Sequence, residues 1–182
     1  MENYDIQLGN VSLSLPLMKA SDDVTIAVFD CYDHLPALPT LNGMLLEKIL
    51  AQPDLPEDLV VMTSETKGIP FGIYFSHALH ADFTLLRKSI KKYIPNYISR
   101  STATYTSQGS ELYADMSKDF KDRPFLLVDD VCSTGATFEA MYQIVDAYGG
   151  HVYKEVAMFA EGSAKDRPNL IYLETLPILT DK

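Results

Sequence analysis

Four consecutive apolar residues, 125–128, stand directly before two aspartates, Asp129 and Asp130. A continuous apolar run of this length is typical of a strand covered on both faces, and such strands occur in parallel sheets. Similar strand-sized runs lie at 59–62, 83–86 and 152–159, and segments with helical spacing separate them. Strands that alternate with helices form βαβ units. The sequence therefore predicts an α/β fold with a doubly wound, mostly parallel sheet.

The remaining elements follow from periodicity and from glycine and proline. An alternating run at 11–15 predicts a strand that Pro16 interrupts, and a β-branched run predicts a second strand at 25–29. Residues 30–40 are interpreted as a connector and 63–68 as a polar turn. Helices are predicted from Leu41 to Ile49, at 69–79 with Pro70 in the first turn, and after Gly135.

One polar stretch, between Arg87 and Arg123, breaks the alternation of strands and helices. Two segments in it, 98–105 and 111–113, predict the arms of a β-ribbon around a turn at 107–109. An insertion of this length in a compact α/β domain is usually either disordered or a functional lid.

Length and composition indicate an ordinary globular chain. Its 182 residues fit one domain, no apolar run approaches the roughly 20 residues that a membrane span needs, and the amino terminus lacks the pattern of a secretory signal. Only two cysteines, Cys31 and Cys132, are present, without metal-binding spacing. We therefore expect a cytoplasmic protein that has no membrane contact.

The charge balance argues against one class of partner. Fifteen Lys and Arg residues stand against 25 Asp and Glu residues, for a net charge of −10. Non-specific nucleic-acid binding gains affinity when cations displace the counterions of phosphates, and an acidic surface opposes this. No nucleic-acid partner is expected, although a few local cations and backbone amides can still hold a small anion.

The turn after the twin aspartates has the chemistry of a phosphate site. A short loop with Ser133, Thr134 and Gly135 leads into a helix that carries Thr137. Loop amides and a helix N-terminus can point their N–H groups at one phosphate, Gly135 allows close approach, and the hydroxyls add donors. The aspartates would repel that phosphate, and they suit a neighbouring sugar diol or a hydrated metal ion.

This segment, 125–137, resembles the motif that binds phosphoribosyl pyrophosphate (PRPP) in type I phosphoribosyltransferases. Residues 64–70 resemble the pyrophosphate loop of that family, and residues 83–88 with Lys91 resemble the strand and lid start of its adenine enzymes. The resemblance spans 59 to about 179 and implies a single domain over 1–182. In that domain, 1–40 and 160–182 form a hood and 88–123 form a lid and ribbon.

The resemblance implies a reaction and a role for each matching residue. A purine nitrogen displaces pyrophosphate from carbon 1 of PRPP, and Asp129 and Asp130 stabilise the positive ribosyl ring as catalytic residues. Mg²⁺ binds through PRPP, with no direct protein ligand and a possible water bridge to Asp129 or Asp130. The 5′-phosphate is bound by Cys132, Ser133, Thr134, Gly135, Ala136 and Thr137, and pyrophosphate is bound by Glu65, Thr66, Lys67, Gly68, Arg87, Lys88 and Lys91. A homodimer is implied, in which a lid lysine, Lys88 or Lys91, serves the partner.

Several alternatives stay open. The family usually has Arg at the position of Lys67 and Gly at that of Ala136, and adenine enzymes carry a lid glutamate near the position of Thr104. Adenine is the first expectation for the base, and xanthine and hypoxanthine/guanine are the alternatives. A non-catalytic regulatory protein that senses PRPP, and an unrelated phosphate-binding α/β protein, are the other readings.

Overall fold

The computed structural model describes residues 2–102 and 109–180 of the chain. Its internal contacts divide the chain into two units. The first unit consists of Met1–Gln52, Asp130–Thr134 and Ala157–Lys182, and the second consists of Pro53–Asp129 and Gly135–Val156. Both segments of the predicted hood fall within the first unit, and the single-domain arrangement stays a prediction.

The first unit begins with an antiparallel hairpin of β1 (Asn3–Leu8) and β2 (Val11–Lys19). Side chains alternate along β2, so that Leu13 and Leu15 are buried while Ser12 and Ser14 are exposed. This is the period of a sheet with one covered face, as the sequence predicted.

Pro16 does not interrupt β2, contrary to the prediction. Pro16 is the last residue of β2 in register with β1, and Leu17 opens the register with the next strand, where it faces Ala27. A proline lacks an N–H donor, and a strand tolerates the loss where no ladder bond requires it. The carbonyl of Pro16 still accepts a hydrogen bond from the Val28 N–H at 2.9 Å.

The rest of the first unit contains two more strands of this sheet and a helix. β3 (Val24–Ala27) pairs with β2, and β12 (Ile178–Thr180) pairs with β3, both antiparallel. α1 (Leu38–Leu50) starts within the predicted connector 30–40, because a proline is favourable in a first helical turn. A 3₁₀ helix, Cys31–His34, precedes α1.

The central sheet follows the strand order β10-β9-β8-β4-β5, with β11 paired to β9. Strand β4 is parallel to β5 and to β8, and β11 is parallel to β9, which confirms the predicted α/β fold with a parallel central sheet. Strands β8 and β9 each contribute residues to both units. The bounds are β4 (Val60–Ser64), β5 (Asp82–Leu86), β8 (Pro124–Cys132), β9 (His151–Glu161), β10 (Leu170–Ile171) and β11 (Glu174–Leu176).

Two helices connect strands of this sheet in the second unit. α2 (Ile69–Ala78) follows β4, and α3 (Ala136–Tyr148) follows β8. Both lie where helical spacing predicted them, and α3 buries Phe138, Met141 and Val145 on one face. Among the described residues, no helix is long and apolar enough to cross a membrane.

The predicted ribbon is present as a separate two-stranded antiparallel sheet of β6 (Tyr97–Ser101) and β7 (Glu111–Asp115). It joins the end of β5 through Arg87 and Tyr113, whose backbone groups exchange hydrogen bonds of 2.9 and 2.8 Å. Thr104 and the first two residues of the predicted turn at 107–109 fall on residues 103–108, which lie outside the described part of the chain.

Gly150, between α3 and β9, provides a test of the packing. A Cβ atom at Gly150 would lie 2.6 Å from the Phe125 ring and 2.8 Å from the Arg123 carbonyl oxygen. We expect Gly150→Ala to lower the free energy of unfolding by about 1–3 kcal/mol because the backbone cannot yield cheaply. Urea denaturation checks this. Gly43→Ala is the matched control, since nothing lies within 4 Å of its added atom. Equal stability of the two variants would contradict the packing argument.

Candidate active site

Strand β8 carries both aspartates of the predicted motif. The strand continues through Asp129 and Asp130 to Cys132, four residues beyond the apolar run 125–128 that predicted it. Residues 124–128 are buried, whereas Asp129 and Asp130 are half-buried. Backbone pairing does not depend on side-chain polarity, and the strand therefore extends beyond its apolar run.

In the second unit, the predicted pyrophosphate loop packs against the end of β8. A Cβ atom at Gly68 would collide with Thr63 Oγ1 and would lie 3.3 Å from Asp129 Oδ1. Gly68 has a helical φ of −69°, so the site needs glycine for its small volume and not for backbone freedom. The loop and the Asp129 carboxylate are therefore neighbours.

A buried hydrogen bond holds β4 and β8 together beside this contact. Thr63 Oγ1 donates to the Val128 carbonyl at 2.8 Å. The loop then continues to Glu65, whose N–H donates to the Leu86 carbonyl at 2.9 Å. β5 and β8 are the two parallel neighbours of β4. The loop therefore bonds to the end of one neighbour, β5, while β4 itself bonds to the other, β8.

The cationic residues predicted for pyrophosphate occupy different environments. Arg87 and Lys67 are half-buried, whereas Lys88 is exposed. Lys91 lines a small cavity together with Arg87, Tyr97 and Tyr113. In the second unit, the structure thus brings Glu65 and Arg87 together, and Lys88 directly follows Arg87 in the chain.

The predicted 5′-phosphate loop passes from the first unit into the second. In the first unit, Ser133 and Thr134 are exposed, whereas the side chain of Cys132 is only 3% exposed. In the second unit, Gly135 has a φ of 79°, a left-handed conformation that favours glycine, and α3 starts at Ala136. Ala136 and Thr137 therefore stand in the first turn of a 13-residue helix, where backbone N–H groups favour an anion.

Ala136 lies at a position where the related family usually has glycine. Ala136 is the first helical residue of α3, a conformation that any side chain adopts. The positive φ falls one residue earlier, on Gly135. The backbone geometry therefore accommodates this departure from the family pattern.

Glu161, the last residue of β9, lies against the predicted 5′-phosphate loop and was missed by the sequence analysis. In the first unit, its carboxyl group bonds to the Ser133 side chain and lies near Asp130, and the residue is only 6% exposed. Burial raises the pKa of Glu161, and the Asp130 charge adds to the rise, whereas the bond from Ser133 opposes it. An acidic residue at a strand end was the available signal, but only pairing within the fold brings it to the loop.

The donor set fits a magnesium ion that arrives with its substrate. Across residues 2–102 and 109–180, no cluster of three or more His, Cys, Asp or Glu side chains could hold a metal by itself. Mg²⁺ commonly keeps several waters and binds to one or two carboxylates and to substrate phosphates. Asp129 and Asp130, both half-buried, fit that secondary position.

The strand that carries the two aspartates, the turn at Gly68 and the N-terminus of α3 all belong to an α/β fold with a parallel sheet, whose ligands usually bind at the carboxyl ends of the strands. A sequence profile described as "Phosphoribosyl transferase domain" matches residues 30–178. The chain belongs to this family, which confirms the resemblance seen in the motifs.

Comparison with individual proteins gives the same family. The chain is 30% identical over 95 residues to an adenine phosphoribosyltransferase of Agathobacter rectalis, which covers 52% of this chain and 53% of the relative. It is 32% identical over 133 residues to a hypoxanthine/guanine phosphoribosyltransferase of Methanocella arvoryzae, and this match covers 70% of this chain and 66% of the relative. The match thus spans about half the length of the first relative and 66% of the second.

A solved structure shows the fold. The adenine phosphoribosyltransferase from Thermoanaerobacter pseudethanolicus superposes with a TM-score of 0.71 at 19% identity, covering 88% of this chain and 95% of that one. At this identity, the similarity shows that the two proteins share an architecture, and it shows nothing about the substrate of this chain.

The buried carboxyl of Glu161 predicts a pH dependence of stability. Because its folded-state pKa is raised, ionising it disfavours the folded protein, and stability is lost as the pH rises above the ordinary range of a carboxyl group. We expect Glu161→Gln to become more stable relative to the wild type as the pH increases. Urea unfolding from about pH 4 to about pH 8 measures this. The control is Glu57→Gln, at an exposed position. If the wild type became more stable relative to Glu161→Gln as the pH rises, the raised pKa of Glu161 would be contradicted.

Proposed function

We propose that this chain transfers the 5-phosphoribosyl group of PRPP to a purine base, with adenine as the base and AMP and pyrophosphate as products. The observation that carries the proposal is the contact between the Gly68 loop and the Asp129 carboxylate, since a Cβ at Gly68 would lie 3.3 Å from Asp129 Oδ1. PRPP presents a ribose next to a pyrophosphate, and this contact offers a partner for each in adjacent positions.

The residues divide the work by charge. In the reaction a base nitrogen forms a bond to carbon 1 of the ribose, and the bond from that carbon to the pyrophosphate oxygen breaks. Positive charge develops on the ring, where Asp129 and Asp130 stabilise it and hold the ribose hydroxyls. Negative charge develops on the pyrophosphate, where Lys67, Arg87 and the amides of the Thr66–Gly68 turn stabilise it.

The 5′-phosphate anchors the other end of the substrate. The amides and hydroxyls of residues 132–137 hold it, with the N-terminus of α3 contributing its dipole. Because the side chain of Cys132 is buried, the backbone of that residue makes its contribution. Binding this end fixes the ribose relative to the aspartates, which lowers the entropic part of the barrier.

Magnesium accompanies PRPP in this proposal. When bound, it neutralises charge on the pyrophosphate, and Asp129 or Asp130 would hold it through water. We also propose a homodimer, in which the exposed Lys88, or Lys91, reaches the partner's site. Two cysteines that lie far apart in the sequence fit a reducing, cytoplasmic setting.

The choice of base rests on the relatives. An adenine phosphoribosyltransferase is among the sequence relatives, which supports adenine. The Methanocella arvoryzae relative supports hypoxanthine or guanine, and xanthine stays an alternative. A non-catalytic PRPP sensor would bind the same ligand without releasing pyrophosphate.

A base panel separates these functions. The protein is incubated with PRPP and Mg²⁺ and with adenine, guanine, hypoxanthine or xanthine in separate reactions, and released pyrophosphate and nucleotide are measured. We expect turnover with adenine. Turnover with another purine alone would move the assignment to that base, and PRPP binding without any turnover would favour the sensor.

The twin aspartates provide the decisive variant of this assay. Asp129→Ala combined with Asp130→Ala should lower kcat by about a hundredfold or more, because both groups act on the charge that develops in the transition state. The matched control, Asp22→Ala combined with Asp23→Ala, removes the same charge from an exposed twin pair and should leave activity unchanged. Full activity of the Asp129 and Asp130 variant would refute the proposed mechanism.

A further inference from the structure

The carboxylate of Glu65 connects the pyrophosphate loop to the start of the lid. Its Oε1 atom pairs with Arg87 Nη1 at 3.1 Å, and its Oε2 atom accepts a hydrogen bond from the Lys88 backbone N–H at 2.9 Å. Each carboxylate oxygen therefore holds one donor on the segment that follows β5. The side chains of Glu65 and Arg87 are 22% and 30% exposed, so this pair is partly shielded from water.

Arg87 is fixed at its backbone as well as at its side chain. Its backbone N–H and carbonyl pair with Tyr113 of β7, while one arm of its guanidinium pairs with Glu65. A guanidinium has five N–H donors, and Glu65 engages the Nη1 atom alone. The remaining donors bond no other side chain in the described ranges, and they are the groups that a phosphate oxygen would use.

We infer that Glu65 is a positioning residue, which anchors to the Lys88 backbone N–H and orients the Arg87 guanidinium toward the pyrophosphate without binding the pyrophosphate itself. This inference rests on the proposed function. A carboxylate repels a phosphate, so Glu65 is a poor direct ligand, although it lies in the loop that the sequence assigned to pyrophosphate. Its favourable contribution comes from holding a flexible arginine in one arrangement, which reduces the ordering cost when the ligand binds.

If Glu65 were a competitor of the ligand and not a positioning residue, its removal would have the opposite effect on pyrophosphate affinity. If Glu65 competed with pyrophosphate for Arg87, its removal would release the guanidinium and tighten binding. The geometry favours positioning, because Glu65 engages one arm of the guanidinium and also holds the adjacent Lys88 amide. A competitor would need to cover the donors that the ligand uses.

A double-mutant cycle tests the inference. The dissociation constant of inorganic pyrophosphate with Mg²⁺ is measured by calorimetry for the wild type, Glu65→Ala, Arg87→Ala and the double variant. We expect Glu65→Ala to weaken pyrophosphate binding about tenfold, as for loss of a hydrogen bond to a charged group. In the Arg87→Ala background it should change little, because Glu65 acts through Arg87. Binding that is unchanged or tighter in Glu65→Ala, or effects that simply add, would overturn the inference.

A second ligand separates this inference from the proposed function. Ribose 5-phosphate lacks the pyrophosphate, so Glu65→Ala should bind it as the wild type does. A wild type that binds neither ligand would refute both the function and the inference. A wild type that binds both, with Glu65→Ala weakened equally for both, would refute positioning alone.

Controls guard against a merely structural effect. Glu57→Ala removes the same charge at an exposed position and should bind pyrophosphate normally. The Lys88 amide should exchange hydrogen faster in Glu65→Ala than in Glu57→Ala without ligand, and equal exchange would contradict the contact. If Glu65→Ala does not fold, Glu65→Leu carries the test. It keeps most of the side-chain volume and removes both acceptors, so weaker pyrophosphate binding supports the inference and unchanged binding overturns it.

Discussion

The hydrogen bond from Thr63 Oγ1 to the Val128 carbonyl lies buried between β4 and β8, immediately before the part of each strand that carries chemistry. Beyond it, β4 leads into the tight turn at Gly68, and β8 leads through Asp129 and Asp130. Because the strands are parallel, both of these ends reach the same edge of the sheet, and the absence of a side chain at Gly68 lets them touch. The pairing of the proposed sugar and pyrophosphate subsites thus depends on one register between two strands.

An acidic chain can still present a local binding site for an anion. Five of the fifteen cationic residues lie between Asp82 and Glu111, a stretch without any acidic side chain. Elsewhere acidic groups outnumber basic ones, and two carboxylates occur beside segments proposed to bind the ligand: Glu65 in the second unit and Glu161, next to Ser133, in the first. Each has a bond that limits its repulsion, from Arg87 and the Lys88 amide in one case and from Ser133 in the other. Affinity for the proposed phosphate ligand would therefore come from local arrangement and not from net charge.

The order of strands and helices could be predicted from the sequence because hydrophobic periodicity and the glycines and prolines at element boundaries are local signals. Residues 125–128 indicated a covered strand, Gly135 the start of a helix, and Pro70 a first helical turn, and the structure has all three. Boundaries were predicted less well. Pro16 lies inside β2, and β8 continues through its aspartates, because backbone pairing with neighbouring strands decides where a strand ends.

The sequence by itself determined the chemistry of the loops: which segments carry carboxylates, hydroxyls, cations and glycine, and in what order. Tertiary structure alone decided the partners. The carboxylate of Glu65 is 22 residues from Arg87 along the chain, and Glu161 belongs to a different strand from Ser133. The reason is physical. The type of a residue and the local periodicity around it can be seen in the sequence. A contact between residues that are distant in the sequence forms only when the strands have paired in a particular order and register.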